Sequence, residues 1–85
     1  MNATDLLDET KDVLTLRNAA YGEPLAAMTA IATLWPVTLG WPISPAQVEL
    51  CMIDLKLARL ARNPQHRDSA IDAIGYTALL PEVTQ

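Results

Sequence analysis

Apolar side chains recur at three- and four-residue intervals in four stretches of this chain, and clusters of proline, glycine and asparagine separate the stretches. No segment shows the sustained alternation or β-branched richness of a strand. The pattern predicts an all-α fold, a small four-helix bundle-like protomer, in a single domain spanning residues 1–85. A first helix is expected over residues 3–19, with Leu6, Leu7, Val13 and Leu14 as its apolar stripe and Asp5, Asp8, Glu9 and Asp12 opposite. The acidic residues also suit the positive end of the helix dipole, and a solvated face explains them more simply than a metal site does.

Tyr21-Gly22-Glu23-Pro24 reads as a turn. The second helix is then expected over residues 24–35, with Met28, Ile31, Leu34 and Trp35 on one side and Thr29 and Thr33 on another. It carries no charge, so it is expected in the middle of the bundle or of a subunit interface. Ser44-Pro45-Ala46-Gln47 is a helix start, with Ser44 as cap, Pro45 at the first position and Gln47 closing a capping box. That third helix should reach Arg62 and end at Asn63-Pro64. A fourth begins at Arg67 or Asp68 and runs to Leu80, where Pro81 is expected to stop it.

Composition narrows the possible functions. The chain is 51% hydrophobic and only 19% charged, more apolar material than so short a chain can hide, and self-association is the usual remedy. A homo-oligomer is expected, with a host protein as a possible further partner. A net charge of −4 and a pI near 4.6 exclude polymeric nucleic acid, which requires a basic surface. Residues 24–48 are uncharged, but four prolines and Gly40 interrupt them, so no membrane span is expected. The lone Cys51 suits a reducing compartment, and no secretory signal opens the chain. The expected location is the cytoplasm.

Candidate chemistry concentrates in one run. Residues 55–67 hold Lys56, Arg59, Arg62, His66 and Arg67 with no carboxylate, and Asp68 and Asp72 follow one helical turn apart. Anion-binding groups thus stand beside groups able to hold a divalent metal. On the third helix Glu49, Lys56 and Arg59 share an edge; on the fourth, Asp68, Asp72, Gly75, Tyr76 and Leu79 share a stripe. Gly75 costs up to about 1 kcal/mol relative to alanine inside a helix, so another helix or a ligand ring is expected against that face. Asp68 suits an N-cap, and Asp72 is expected to pair with Lys56, Arg59 or a metal. His66 is expected to cap locally or to contact an anion beside Arg67. A lone histidine and a lone cysteine make no zinc site, and neither a nucleophile relay nor a glycine-rich phosphate loop is present.

The order Tyr21-Gly22, Ile31-Ala32-Thr33-Leu34-Trp35, Leu39-Gly40, Leu55-Lys56-Leu57-Ala58-Arg59, Asn63-Pro64-Gln65-His66-Arg67-Asp68, Asp72 and Gly75-Tyr76 resembles a family of small phage and prophage proteins of uncharacterised function. The resemblance covers residues 17–80. More distantly, it is similar to the MazG-like all-α nucleotide pyrophosphohydrolases, whose helical bundles assemble as oligomers and hold Mg²⁺ through carboxylates on two adjacent helices. It implies a nucleotide-type ligand and, for a phage-encoded chain, the host cytoplasm. Where that family clusters glutamates, this chain has Glu49 and Asp54 on different helix faces, and only Asp68 and Asp72 map well. Ala27 replaces an asparagine usual in the phage family.

Three functions follow as expectations. The first is capture or sequestration of a phosphorylated nucleotide or cyclic nucleotide, needing no cofactor, through Lys56, Arg59, His66, Arg67 and a stacking Tyr76 or Tyr21. The second is an Mg²⁺-dependent nucleoside triphosphate pyrophosphohydrolase with Asp68, Asp72 and Glu49 as metal ligands. The third is a structural or host-protein-binding helical oligomer whose interface is the uncharged segment.

Overall fold

A computed structural model describes residues 2–84, the side chain of Tyr21 excepted. Four helices follow one another: α1 (Ala3–Tyr21), α2 (Pro24–Leu39), α3 (Pro45–Arg62) and α4 (Arg67–Val83), with no strand among the described residues. The all-α expectation holds. α3 and α4 form the most extensively packed pair, α1 lies mainly against α4, and α2 lies across α3 and α4.

Local signals set most helix ends. The Asn2 side chain accepts the Asp5 N–H at 2.8 Å, and Gly22, at φ 79°, closes α1 by donating its N–H to the Asn18 carbonyl. α1 therefore runs two residues beyond the expected Ala19. At α3 the expected capping box is complete: the Gln47 N–H donates to Ser44 Oγ at 3.1 Å, and the Ser44 N–H donates to Gln47 Oε1 at 2.8 Å. His66, not Asp68, caps α4, its Nδ1 accepting the Ser69 N–H at 3.2 Å.

Two prolines expected to stop helices do not. α2 continues through Pro36 to Leu39, and α4 through Pro81 to Val83. A proline so near a C-terminus forfeits one N–H bond and disturbs only the last turn. That turn is closed in α2 by left-handed Gly40 (φ 80°), whose N–H reaches the Pro36 carbonyl at 2.8 Å, and in α4 by Thr84, whose N–H reaches Leu80 at 3.0 Å.

The core is thin. Val48, Ile71 and Val83 are its buried hydrophobic residues, joined by buried Thr10, Ser69 and Glu49. On α1 the inward positions are Leu6, Thr10, Val13 and Leu14, whereas Leu7, expected on that stripe, is 56% exposed. Thr10 can take the place because its hydroxyl donates to the Leu6 carbonyl at 2.7 Å and so leaves no unpaired polar group. Gly75 is buried against this helix: a Cβ there would lie 3.5 Å from Leu14 and 3.9 Å from Thr10, so the close neighbour expected at Gly75 is α1.

α2 departs most from expectation. None of its residues is buried, and Leu34 and Val37 are 67% and 87% exposed. It lies on the outside of the protomer, so the expectation that it fills the middle of the bundle is corrected. Met28, Ile31 and Trp35 face inward and are half-buried, while the opposite face presents threonine, alanine and Val37 to solvent. No described helix is long and apolar enough to cross a membrane.

Candidate functional site

Three helices contribute to a half-buried cluster of charge. From α4, Asp72 accepts a hydrogen bond from Arg17 of α1 at 2.7 Å on Oδ1, and Lys56 of α3 pairs with its Oδ2 at 3.1 Å. The Lys56 and Asp72 side chains are only 11% and 13% exposed. Burial alone pushes the Asp72 carboxyl up, but hydrogen bonds from Arg17 and Lys56, reinforced by their positive charges, outweigh it and hold the carboxyl below its ordinary value. Of the partners expected for Asp72, Lys56 is present; Arg17, fifty-five residues away, is the partner that sequence reasoning missed.

The other cations of residues 55–67 disperse. Arg67 forms an ion pair with Glu9 of α1. Arg59 lies exposed on the flank of α3 and makes no ion pair among the described residues. His66 serves as a cap, with Nδ1 also 2.7 Å from Ser69 Oγ. Lys56, Arg59, His66 and Arg67 therefore do not converge on one anion. Asp68 is exposed in the first turn of α4, and each Asp72 oxygen already engages a cation. Among the described residues, no group of three or more His, Cys, Asp and Glu side chains is placed to hold a metal ion. Asp68, Asp72 and Glu49 are accordingly not gathered into a ligand set for Mg²⁺.

A concave site does form, and Arg17 lines it. A cavity of about 770 Å³ opens among Leu14, Arg17 and Asn18 of α1, the Gly22-Glu23 turn, Met28 of α2, Glu49 of α3, and Tyr76, Leu79 and Glu82 of α4. Its size falls within the ~300–1,000 Å³ typical of small-molecule sites. Two residues singled out from the sequence, Glu49 and Tyr76, meet here. Tyr21 ends α1 beside the cavity's turn, but its side chain lies outside the described residues.

Glu49 is the unusual member. It is fully buried, and neither carboxyl oxygen has a hydrogen-bond partner within the protein. Loss of solvent pushes its carboxyl up from 4.5 to about 7, because burial disfavours the charged form and no donor offsets the cost. Tyr76 is also raised: burial acts first, and of the nearby charges Arg17 opposes the shift while Asp72 and Glu49 add to it. Arg17 connects the cavity to the ion cluster. Its guanidinium carries five N–H donors, is 43% exposed and lines the cavity, so donors not used by Asp72 can meet a ligand there.

Residues 5–84 match the model of a family described as a domain of unknown function, DUF6378. The Gene 55 protein of Mycobacterium phage L5 is 36% identical over 64 residues, an alignment covering 74% of this chain. The chain spans 41% of that protein's length. No solved structure matches the chain.

Proposed function

The chain belongs to the DUF6378 family, and on that footing we propose that it is a phage-type ligand-capture protein that binds a nucleotide or cyclic nucleotide in the cavity beside Arg17. The observation that carries the reading is the pairing, in one cavity, of a fully buried, unpartnered Glu49 with an Arg17 guanidinium held by Asp72. The cavity lining supplies Tyr76 and the apolar Leu14, Met28 and Leu79 for a flat ring and Arg17 for the phosphate. This moves the anion contact from Lys56 and Arg67 to Arg17, because of the three only Arg17 lines the cavity. The resemblance to phage proteins and, more distantly, to MazG-like nucleotide pyrophosphohydrolases supports a nucleotide over other small molecules. The host cytoplasm is the compartment where such a chain would meet one.

Charge narrows the ligand further. One guanidinium, already shared with Asp72, is the cationic group among the described residues lining the cavity, so a triphosphate would be poorly compensated there. A monophosphate or cyclic monophosphate suits the site better. A thermal-shift panel of mono-, cyclic and triphosphate nucleotides, with and without Mg²⁺, tests the proposal, since a ligand that binds only the folded state raises its melting temperature. Stabilisation by monophosphates or cyclic nucleotides without Mg²⁺, lost in Arg17→Ala, is the expected result. Stabilisation confined to triphosphate with Mg²⁺, accompanied by pyrophosphate release, would replace capture with hydrolysis.

We also propose that the protomer assembles with copies of itself through the outer face of α2 and the neighbouring apolar groove of Leu39, Trp41, Ile43 and Leu50. Trp41 is 77% exposed there. So much uncharged apolar surface in solvent is characteristic of an interface.

A further inference from the structure

We propose that Glu49 reads the base of the captured nucleotide by accepting two adjacent N–H donors, which selects a guanine-type edge. This rests on the capture reading above and adds to it the choice of base. Glu49 lines the cavity, is 0% exposed, and leaves both carboxyl oxygens without a partner in the protein. Turned toward the cavity and ionised by two N–H donors placed against it, this group offers two parallel acceptors and no donor. The complementary ligand edge therefore carries two neighbouring donors, as guanine does with its ring N–H and its exocyclic amino group. Hypoxanthine keeps only the ring N–H. Adenine presents one amino group beside an acceptor nitrogen, which would face a carboxylate oxygen and repel it.

The wall around Glu49 suits a ring held at that edge. Leu14 and Leu79 supply apolar surface and Tyr76 an aromatic ring within the same cavity. Arg17 lines the cavity from α1 while Glu49 does so from α3, so base edge and phosphate have separate partners. Paired charge-assisted hydrogen bonds to a carboxylate are strong and directional. A buried polar group satisfied by one ligand and left unpaired by another discriminates between them far better than apolar contact does.

Calorimetric titration of the full chain with guanosine, inosine and adenosine monophosphates tests the inference, alongside Glu49→Gln checked for folding by circular dichroism. Wild type is expected to bind the guanosine nucleotide at least tenfold more tightly than the other two. Glu49→Gln, whose amide presents one acceptor and one donor, should weaken guanosine binding at least tenfold and strengthen adenosine binding. Equal affinities for all three bases, or a preference for adenosine, overturn the role of Glu49 and leave nucleotide capture standing. Failure of every nucleotide to bind overturns capture itself and the base reading with it. Should Glu49→Gln not fold, the three-base comparison on wild type decides alone.

Discussion

With its carboxyl pushed up to about 7, Glu49 is roughly half protonated at neutral pH, and this gives the fold a definite pH dependence. In the unfolded chain the group titrates near 4.5. Between the two values the folded state holds the extra proton, so the contribution of Glu49 to stability is complete below 4.5 and is lost as pH rises through about 7. Asp72 has the opposite sign: its folded value is lowered from 3.8, so its contribution is present above 3.8 and lost as pH falls. Stability should therefore peak on the acid side of neutrality. Denaturant melts are expected to lose on the order of 2–3 kcal/mol between pH 5 and pH 8, and Glu49→Gln should flatten that slope. An unchanged slope in the variant would mean that Glu49 is not buried as described. Gly75 offers a second test at this scale. An alanine Cβ would meet Leu14 at ordinary contact distance, 3.5 Å, so Gly75→Ala should fold and gain about 0.5–1 kcal/mol from helix propensity.

Among the elements, what could be read from the sequence was local. The capping box at Ser44 and Gln47 was visible because its partners lie three residues apart, and the Gly22 and Asn63-Pro64 breaks were equally close at hand. Arg17 with Asp72 was not, because helix packing joins them across fifty-five residues. Lys56 was legible as a cation needing a reason, and Asp72 supplies that reason. Pro36 and Pro81 misled because a proline's effect depends on how much helix remains beyond it, which local composition does not state. The cavity was half legible: Glu49 and Tyr76 stood out, yet their meeting depended on the packing of α3 against α4. On α2, Trp35 faces inward and Trp41 is 77% exposed. Trp35→Ala should consequently cost the protomer more than Trp41→Ala in a chemical melt. As Trp35 is only half-buried, the loss should sit near or below the lower end of the ~3–5 kcal/mol usual for core aromatics.

At the scale of the whole molecule, area and shape both point outward. The protomer exposes 5865 Å², against about 5,000 Å² expected for a compact monomer of its mass. Its radius of gyration is 13.6 Å, where about 12 Å would describe a compact chain of this length. The surplus, roughly 900 Å², is close to the ~800 Å² that one partner contributes to a standard interface. Where the surplus lies is consistent with that use: Leu34, Val37, Leu39, Trp41 and Leu50 are all about half or more exposed, and α2 carries no charge to hold water against them. Light scattering coupled to gel filtration at micromolar concentration is therefore expected to give a mass of at least twice 9.3 kDa. Val37→Glu and Trp41→Glu together should shift it to the monomer while leaving the helical signal intact, because both side chains are exposed in the protomer and a charge there opposes burial only in an assembly. A wild-type mass of one protomer would contradict self-association and leave the apolar face to a different protein.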